Sequence, residues 1–394
     1  MALLNLWEAD RKEIERKLVH QIIAIAGSGK LQDGNETSRE FREFLSHVPS
    51  TMLEAYAQHC LTEKFDASGL ALQDVINEVG RRLGFRVENG RYRGTPGQSG
   101  HDGLWHLPEG ESIVVEVKTT DAYRIDLDAV AEYRRLLSEA KQIALGNSSI
   151  LIVVGRQDTG DVEVQIRGSR HAWDMRLISV DALLRLMSLK EEVEDPQILR
   201  KITGILVPQE FTRVDGIIDL VFSAAEDVLQ GDEIADEDEE TTRPSEGQRR
   251  TPQFIPAKFH DACVERIKKQ LKIPLVRQTR ATYATPDGTV SLVCMVSREP
   301  HSAGQSYWYA FHPHQKDRLL EAKEAYVAFG CGSEETVLLI PFHDFLKWVD
   351  GMNVTHRRDR YYWHVHIFRE GKKLVLHLKS GFGKVDLTAY LLQS

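Results

Sequence analysis

Asp102, Glu116 and Lys118 are the residues of this sequence whose types and spacing best suit shared chemistry. Glu116 and Lys118 lie two residues apart in the apolar run 113–119, which has the composition of a β-strand. Alternate side chains of a strand project from the same face, so this carboxylate and this ammonium project together. Asp102 begins the preceding predicted strand, 102–107, and a hairpin would bring its carboxylate beside Glu116. The spacing therefore predicts two carboxylates and a lysine at one end of a sheet.

These residue types suit the hydrolysis of a phosphodiester bond. That reaction needs stabilisation of charge on the non-bridging oxygens and a supply of hydroxide near neutral pH, and a divalent ion can provide both. Carboxylate oxygens select Mg²⁺, which keeps several waters and can take a phosphate oxygen as a further ligand. Asp102 and Glu116 are thus the expected ligands of Mg²⁺, with Mn²⁺ able to substitute. Lys118 would position or deprotonate the attacking water, or stabilise the developing charge.

The pattern of Asp102, thirteen intervening residues and then Glu116-x-Lys118 resembles the PD-(D/E)xK nuclease superfamily. The resemblance covers about residues 69–166. It implies that the Asp and Glu bind Mg²⁺, that the Lys assists the water, and that the fold is a restriction-endonuclease-like mixed sheet flanked by helices. His101 stands where the proline of the motif name would be, a departure that leaves the expected metal ligands in place.

Two further site residues follow from the same resemblance. Glu78, on the predicted helix before the first strand, stands where some members place an acidic helper. Gln142, on the helix after the motif strand, resembles a glutamine that some branches place near the metal. The alternative for both is an ordinary solvated helix position.

Local patterns predict the elements that would position these residues. Helical spacing is expected in a lead-in over 1–68 and again at 69–84. The sheet is expected to comprise strands at 85–93, 102–107, 113–119, 149–155 and 162–166, with a long amphipathic helix at 125–145. The unbroken apolar run at 149–155 suits a strand buried on both faces. Helix, strands, helix and strand is the order of an α/β sandwich, so the predicted fold class is α/β.

Charge and composition divide the chain further. Residues 251–394 contain 20 Lys and Arg against 14 Asp and Glu, a net charge of +6, so the first 250 residues carry −15 of the chain's total of −9. Residues 231–250 are acidic and almost free of apolar side chains, which is typical of a linker. We therefore predict a helical N-terminal region at 1–68, a nuclease domain at 69–230, this acidic linker, and a C-terminal recognition domain at 251–394.

The C-terminal domain is expected to be α+β and mainly β, with short runs of Val, Tyr, Trp and Phe between Gly and Pro. Basic groups hold phosphates and aromatic faces stack on extruded or single-stranded bases. The residues predicted to bind nucleic acid on this basis are Trp308, Tyr309, Tyr362, Trp363, Arg357, Arg358 and Arg360. The alternative is that the aromatics fill a β core while the arginines are solvated. His364-Val-His366 could offer two metal ligands, but no third follows at a recognisable spacing, so zinc is not predicted.

These observations predict a Mg²⁺-dependent DNA endonuclease of the restriction or anti-phage type. The alternatives are a non-catalytic nucleic-acid-binding subunit, and a nuclease subunit that works with a separate ATPase, because the chain contains no Walker A sequence. Cleavage of both strands calls for two active sites, so a homodimer or paired assembly on DNA is expected. The sequence contains no apolar run of membrane-span length and no signal peptide, and its four cysteines form no CxxC pair, which predicts a cytoplasmic protein.

Overall fold

The structure is a computed structural model of the 394-residue chain. It describes residues 2–93, 99–107, 110–119, 125–155, 160–193, 196–208, 257–297, 299, 306–357 and 360–392. The chain is a mixed α/β protein, which confirms the predicted fold class at that level. Its contacts divide it into two compact units, the first comprising Met1–Lys190 with Leu199–Ile217 and the second Glu191–Ile198 with Ile218–Ser394. In the part of the chain that is described, no helix has the length and apolar character needed to cross a membrane.

The first unit begins with short helices, as expected for residues 1–68. They are α1 (Ala2–Ala9), α2 (Arg11–Glu15), α3 (Val19–Ile25), α4 (Glu36–His47) and α5 (Ser50–Thr62). The start of α4 is fixed by Asn35, whose side chain accepts a hydrogen bond from the backbone N–H of Ser38. Phe41, Phe44 and Leu53 of these helices are fully buried in the same core as one face of the following sheet. The lead-in helices and the sheet therefore form one hydrophobic core.

The sheet of the first unit has the strand order β1-β2-β3-β4-β5. In chain order from residue 68 to residue 204, the helices and strands are α6 (Ser68–Leu83), β1 (Arg86–Asn89), β2 (Gly103–His106), β3 (Ser112–Lys118), α7 (Leu127–Glu139), a 3-10 turn (Leu145–Asn147), β4 (Ser148–Val154), α8 (Gly160–Arg167), β5 (Met175–Ser179), α9 (Val180–Glu192) and α10 (Pro196–Gly204). The first three strands are antiparallel neighbours, whereas β3, β4 and β5 are parallel. Parallel neighbours need a crossover, and α7 and α8 provide the two that this order requires.

The two faces of this sheet are covered by different helices. On one face, Trp105, Val115 and Val153 pack against α6 and the N-terminal helices. The Trp105 ring lies so close to α6 that a Cβ on Gly80 would be 2.6 Å from its Cε2 atom. On the other face, Val114 and Ile152 pack against α7. Burial on both faces explains why β3 and β4 are apolar at consecutive positions, 113–115 and 150–154.

One predicted strand is wrong, because residues 162–166 form part of α8. Val162 and Ile166 are buried at 5% and 7% exposure, whereas Val164 is 70% exposed. That pattern is the i, i+4 spacing of a helix, and a five-residue apolar alternation fits both periods. The fifth strand is instead β5, which was not predicted.

The second unit contains α11 (Ala257–Leu271) and two sheets. The first has the order β11-β10-β8-β7-β6, and the second the order β12-β13-β14-β15 with β9 also paired to β13. The elements are β6 (Val276–Arg277), β7 (Thr282–Ala284), β8 (Val290–Ser297), β9 (Tyr307–Phe311), α12 (Pro313–Glu321), β10 (Glu324–Cys331), β11 (Val337–Pro341), α13 (Phe342–Val349), β12 (Asn353–Arg357), β13 (Arg360–Glu370), β14 (Lys373–His377), β15 (Lys384–Asp386) and a 3-10 turn (Thr388–Tyr390). This strand-rich composition agrees with the α+β, mainly β expectation for 251–394.

Candidate active site

The pairing of β2 with β3 brings Asp102 and Glu116 together. Gly103 is paired with Val115, so Asp102, one residue earlier, lies across from Glu116, one residue later. Directly opposed residues of antiparallel strands share a face, with Cβ atoms about 4.5–5.5 Å apart. Because Leu104 and Val114 belong to the core under α7, Asp102, two residues before Leu104, lies on the α7 side of the sheet. The predicted hairpin geometry is therefore present.

Lys118 lies on the same face, two residues after Glu116. Its Nζ atom donates a hydrogen bond to Glu116 Oε1 over 2.5 Å. The Lys118 side chain is 39% exposed, whereas that of Glu116 is 8% exposed. Among the described residues no hydrogen-bond donor reaches the second oxygen of Glu116, Oε2, which is buried. The structure thus brings together all three residues of the predicted motif and leaves one buried carboxylate oxygen unsatisfied.

Asp102 is held by an unusually dense set of hydrogen bonds. Its Oδ2 atom accepts from the backbone N–H of Val117 over 2.7 Å. Its backbone carbonyl accepts from three donors: the Gly90 N–H at 3.0 Å, Gln73 Nε2 at 3.0 Å and Asn77 Nδ2 at 2.8 Å. The last two belong to α6, so this helix fixes the backbone of Asp102 from the opposite side of the sheet.

Asn77 links this anchor to the packing of β2. While its amide nitrogen donates to Asp102, its Oδ1 atom accepts from the indole N–H of Trp105 over 2.9 Å. A Cβ on Gly103 would be 2.1 Å from that Oδ1 atom, so only glycine leaves room for the contact. The sequence showed Gln73 and Asn77 merely as polar residues in a helical pattern. Their four-residue spacing on a helix that must bury one face was the available signal.

Burial of the two carboxylates shifts their protonation. It raises the pKa of Asp102, and the neighbouring charge of Glu116 raises it further against the opposing effects of the Val117 N–H and Lys118. Burial likewise raises the pKa of Glu116, although the charge of Lys118 opposes this. For Lys118, burial alone would lower the pKa, but the two carboxylates outweigh it and raise that pKa. The two carboxyl groups therefore retain their protons more readily than exposed carboxyl groups do.

Tyr133 of α7 belongs to the site but was not predicted. Burial raises the pKa of its hydroxyl, and the charges of Glu116 and Asp102 raise it further while Lys118 lowers it. Its hydroxyl oxygen also lies against the chain before Asp102, since a Cβ on Gly100 would be 3.2 Å from it. A signal existed in the sequence, because Tyr133 follows the buried Val130 by one helical turn.

The structure does not bring Glu78 to this trio. Glu78 lies on α6, as predicted, but its side chain is 3% exposed. Its carboxylate accepts hydrogen bonds from Arg82 Nε at 2.9 Å and from Arg81 Nη1 at 3.4 Å. Arg82 also donates to the carbonyl oxygens at the end of α4, including Leu45 at 3.2 Å and Val48 at 2.8 Å. Glu78 is therefore placed in a buried ion-pair network that joins α6 to α4, on the face of the sheet opposite α7.

Gln142 is also distant from the trio. It follows the end of α7 and lines an open groove with His106, Ser112 and Ser138. Ser112 begins β3, and Glu116 lies four residues further along, which is about 13 Å in a strand. Gln142 thus lies at the other end of the motif strand from Glu116.

The aromatic residues predicted to bind nucleic acid lie on β9 and β13, and they are divided between the two faces of the sheet that these strands share. Tyr309 and Trp363 lie in the core, where the Tyr309 hydroxyl donates to the Gly330 carbonyl over 2.9 Å. Trp308 and Tyr362 lie on the opposite face, with ring centroids 6.3 Å apart. Arg358 lies outside the described residues. Arg357 and Arg360 form the last backbone pair of the hairpin between β12 and β13, and their side chains are outside the described part as well.

Within the described residues, no three His, Cys, Asp or Glu side chains form a group that could hold a metal ion. Among the described residues, the carboxylates at the trio that could hold a metal are therefore those of Asp102 and Glu116. Comparison with models of known protein families and with curated proteins gives no match.

Proposed function

We propose that this chain is a Mg²⁺-dependent DNA endonuclease of the restriction or anti-phage type, with a restriction-endonuclease-like catalytic unit. The observation that carries the proposal is the buried, unsatisfied Oε2 atom of Glu116 directly across β2 and β3 from Asp102. Burying a carboxylate oxygen without a partner is costly unless a cation binds there. Two neighbouring carboxylates, one of which has a buried and unsatisfied oxygen, therefore suit a metal ion.

The residues present fit Mg²⁺. Magnesium commonly takes one or two protein carboxylates and completes its coordination with water and substrate phosphate, so a third side-chain ligand is not required. Asp102 and Glu116 would hold the ion. When bound, it would supply charge stabilisation for the phosphate and lower the pKa of a bound water.

Of the roles considered for Lys118, we assign it the stabilisation of negative charge. Because its pKa is raised, Lys118 stays protonated at neutral pH and suits stabilisation of negative charge on the phosphate better than removal of a proton. Its salt bridge with Glu116 Oε1 holds the ammonium at the site. The Tyr133 hydroxyl, which also stays protonated, can donate a hydrogen bond from the α7 side.

The topology around the site supports the proposed fold. A helix, three antiparallel strands, a crossover helix and a parallel strand follow one another. Asp102 lies immediately before the second strand, and Glu116 and Lys118 lie on the third. The net charge of +6 in residues 251–394 supports a DNA-binding role for the C-terminal part. We further propose a homodimer or paired assembly for cutting both strands, by analogy.

Isosteric variants test the catalytic assignment. Asp102→Asn, Glu116→Gln and Lys118→Met should each lower the Mg²⁺-dependent cleavage of supercoiled plasmid by at least about 100-fold. The matched control is Glu88→Gln, which alters an exposed carboxylate on β1 of the same sheet and should cut normally. Normal cutting by all three site variants would refute the site.

A second readout is independent of activity. Mg²⁺ that binds the folded chain should raise its free energy of unfolding, by about 1.4 kcal/mol at tenfold the Kd. Asp102→Asn and Glu116→Gln should lose this stabilisation, whereas Glu88→Gln should keep it. If Mg²⁺ stabilises the wild type but plasmid is cut only after an ATPase partner is added, the chain is a nuclease subunit. A wild type that neither binds Mg²⁺ nor cuts is a non-catalytic binding subunit.

A further inference from the structure

In the second unit, the sheet that contains β9 and β12 to β15 has a continuous group of aromatic and histidine rings on one of its faces. We call it the ring face; its members are Trp308, Tyr362, His364, His366, Phe368 and His377. Strand pairing places them together, because Trp308 is opposite His366 on β13 and His366 is opposite His377 on β14. The alternate residues of β13, including Val365, are buried in the core instead. Both faces of β13 are thus aromatic or apolar, but only one of them faces the core.

The ring face is partly accessible. His364, His366, Phe368 and Trp308 are all of intermediate burial, whereas Val365 and Ile367 between them are fully buried. Tyr362 is the exception, at 8% exposure, because the rings of Trp308 and His312 lie 6.3 Å and 5.6 Å from its own. Aromatic surface therefore remains open to a ligand on this side of the sheet.

Hydrogen bonds fix the rings in place. The Trp308 indole N–H, which can only donate, is 2.9 Å from His364 Nδ1, so that nitrogen must accept. Neutral His364 therefore carries its proton on Nε2, which donates to Thr355 Oγ1 over 2.6 Å. His366 Nδ1 is bonded to Ser306 Oγ over 2.9 Å. Rings fixed before binding lose little conformational entropy when a ligand stacks on them.

The spacing of the rings suits bases that have left a duplex. Side chains on one face of a strand recur about every 6.7 Å. The rings of His364 and His366 are stacked on each other, with centroids 5.8 Å apart and planes within 3° of parallel. Bases in a duplex are stacked about 3.4 Å apart. A base can therefore stack on a protein ring only after it separates from its neighbours, which costs least for an unpaired or mispaired base.

Charge on this part of the chain is complementary to nucleic acid. Residues 251–394 have a net charge of +6. At the end of β13, the carboxylate of Glu370 forms a salt bridge with the ammonium of Lys384 over 2.6 Å. A stacking surface within a cationic domain is the combination that binds single strands.

We propose that the ring face binds unpaired DNA bases by stacking, so that the proposed nuclease prefers DNA containing a single-stranded or mispaired segment. This inference rests on the proposed DNA-binding role of the C-terminal part. It assigns Trp308 as the principal stacking residue, because its ring is the largest on the accessible face.

The test is DNA binding by the full chain in EDTA, followed by fluorescence anisotropy of a labelled oligonucleotide. Three forms of one sequence are compared: the single strand, the matched duplex, and a duplex with central mismatches. The single strand and the mismatched duplex should bind more tightly than the matched duplex. Trp308→Ala should weaken single-strand binding about 5- to 150-fold, the loss that corresponds to one stacked base at about 1–3 kcal/mol.

The matched control is Tyr307→Phe, which changes a core-facing residue of the same strand and should leave binding unchanged. If Trp308→Ala does not fold, Trp308→Phe replaces it as the test variant. Binding of the single strand should quench the tryptophan fluorescence of the wild type, and this quenching should be lost in Trp308→Phe. Unchanged quenching would overturn the proposal. Equal affinity for the single strand and the matched duplex would also overturn the proposal. So would the finding that Trp308→Ala converts a dimer to a monomer without changing DNA affinity.

Binding in EDTA separates this inference from the proposed cleavage. A chain that cuts plasmid in Mg²⁺ but does not prefer unpaired bases contradicts only the ring-face proposal. A chain that prefers unpaired bases but never cuts contradicts only the catalytic proposal.

Discussion

Asp74 of α6 is fully buried between two partners from different parts of the chain. Its Oδ1 atom accepts from Arg42 Nε over 2.8 Å, and its other oxygen accepts from the Tyr92 hydroxyl. Asp33 accepts from the backbone N–H of Tyr92 over 2.8 Å. These contacts anchor the chain after β1, where the Gly90 N–H bonds to the Asp102 carbonyl. A buried carboxylate thus helps to position a site residue that it does not touch.

The protonation of Asp74 predicts a dependence of stability on pH. Burial raises its pKa to about 6 from an ordinary 3.8, against the opposing charge of Arg42. A raised folded-state pKa stabilises the protein below the unfolded pKa, and this contribution is lost as the pH rises through the folded value. Relative to wild type, Asp74→Asn should gain up to about 3 kcal/mol of unfolding free energy between pH 4 and pH 7.

Urea unfolding at several pH values measures this difference. Asp10→Asn is the control, because Asp10 is an exposed helix cap and asparagine caps equally well. A gain for Asp74→Asn between pH 4 and pH 7 that is no larger than the gain for Asp10→Asn would contradict the prediction.

At the scale of elements, α6 is the helix that organises the first unit. One set of its side chains holds Asp102 through Gln73 and Asn77. Another, the pair Glu78 and Arg82, binds the carbonyl oxygens at the end of α4. Both sets are nearly buried, so the polar groups must be satisfied where they lie. The helix therefore couples the N-terminal helices to the backbone of the candidate site.

Arg82→Met should lower the free energy of unfolding by about 3–5 kcal/mol, because it leaves the buried Glu78 and several carbonyl oxygens without their main donor. Arg81→Met is the matched control: it is on the same helix and also contacts Glu78, but its side chain is 32% exposed. It should cost less than about 1 kcal/mol. If chemical denaturation shows that the two variants lose equal free energy of unfolding, the buried network contributes no more than the exposed salt bridge.

At the scale of the whole molecule, charge is divided unevenly. The first 250 residues carry a net −15 and include the candidate metal site, whereas residues 251–394 carry +6. Phosphate backbones are repelled by the former and attracted by the latter. Affinity for DNA should therefore come mainly from the C-terminal part.

Truncation after Glu240 tests this division. The remaining chain should lose at least about tenfold in DNA affinity at low salt, and its binding should depend less steeply on salt because fewer phosphates are neutralised. It should still unfold cooperatively, since the hydrophobic core around the candidate site lies in the first unit. Anisotropy in EDTA and circular dichroism measure these two properties. Unchanged affinity would refute the division.

Residues close in sequence were predictable for a physical reason. Residues 150–154 form an unbroken apolar run, and the strand that carries Glu116 and Lys118 is apolar at 113–115 and 117, as burial on both faces of a sheet requires. The short segment 162–166 fits the period of a strand and that of a helix equally, and only its packing showed that it is α8. Local pattern is decisive only where the run is long enough to exclude the other period.

Residue types and spacing were enough to predict that Glu116 and Lys118 share one face of a strand and that a hairpin would bring Asp102 beside Glu116. Only the tertiary structure showed that Oε2 of Glu116 is left unsatisfied and that Tyr133 joins the site. It also placed Glu78 in a network with Arg82 and divided the aromatics between two faces of one sheet. These facts depend on which helix covers which face of a sheet and on contacts between residues far apart in the chain. Packing of the whole core decides them, and no local pattern encodes it.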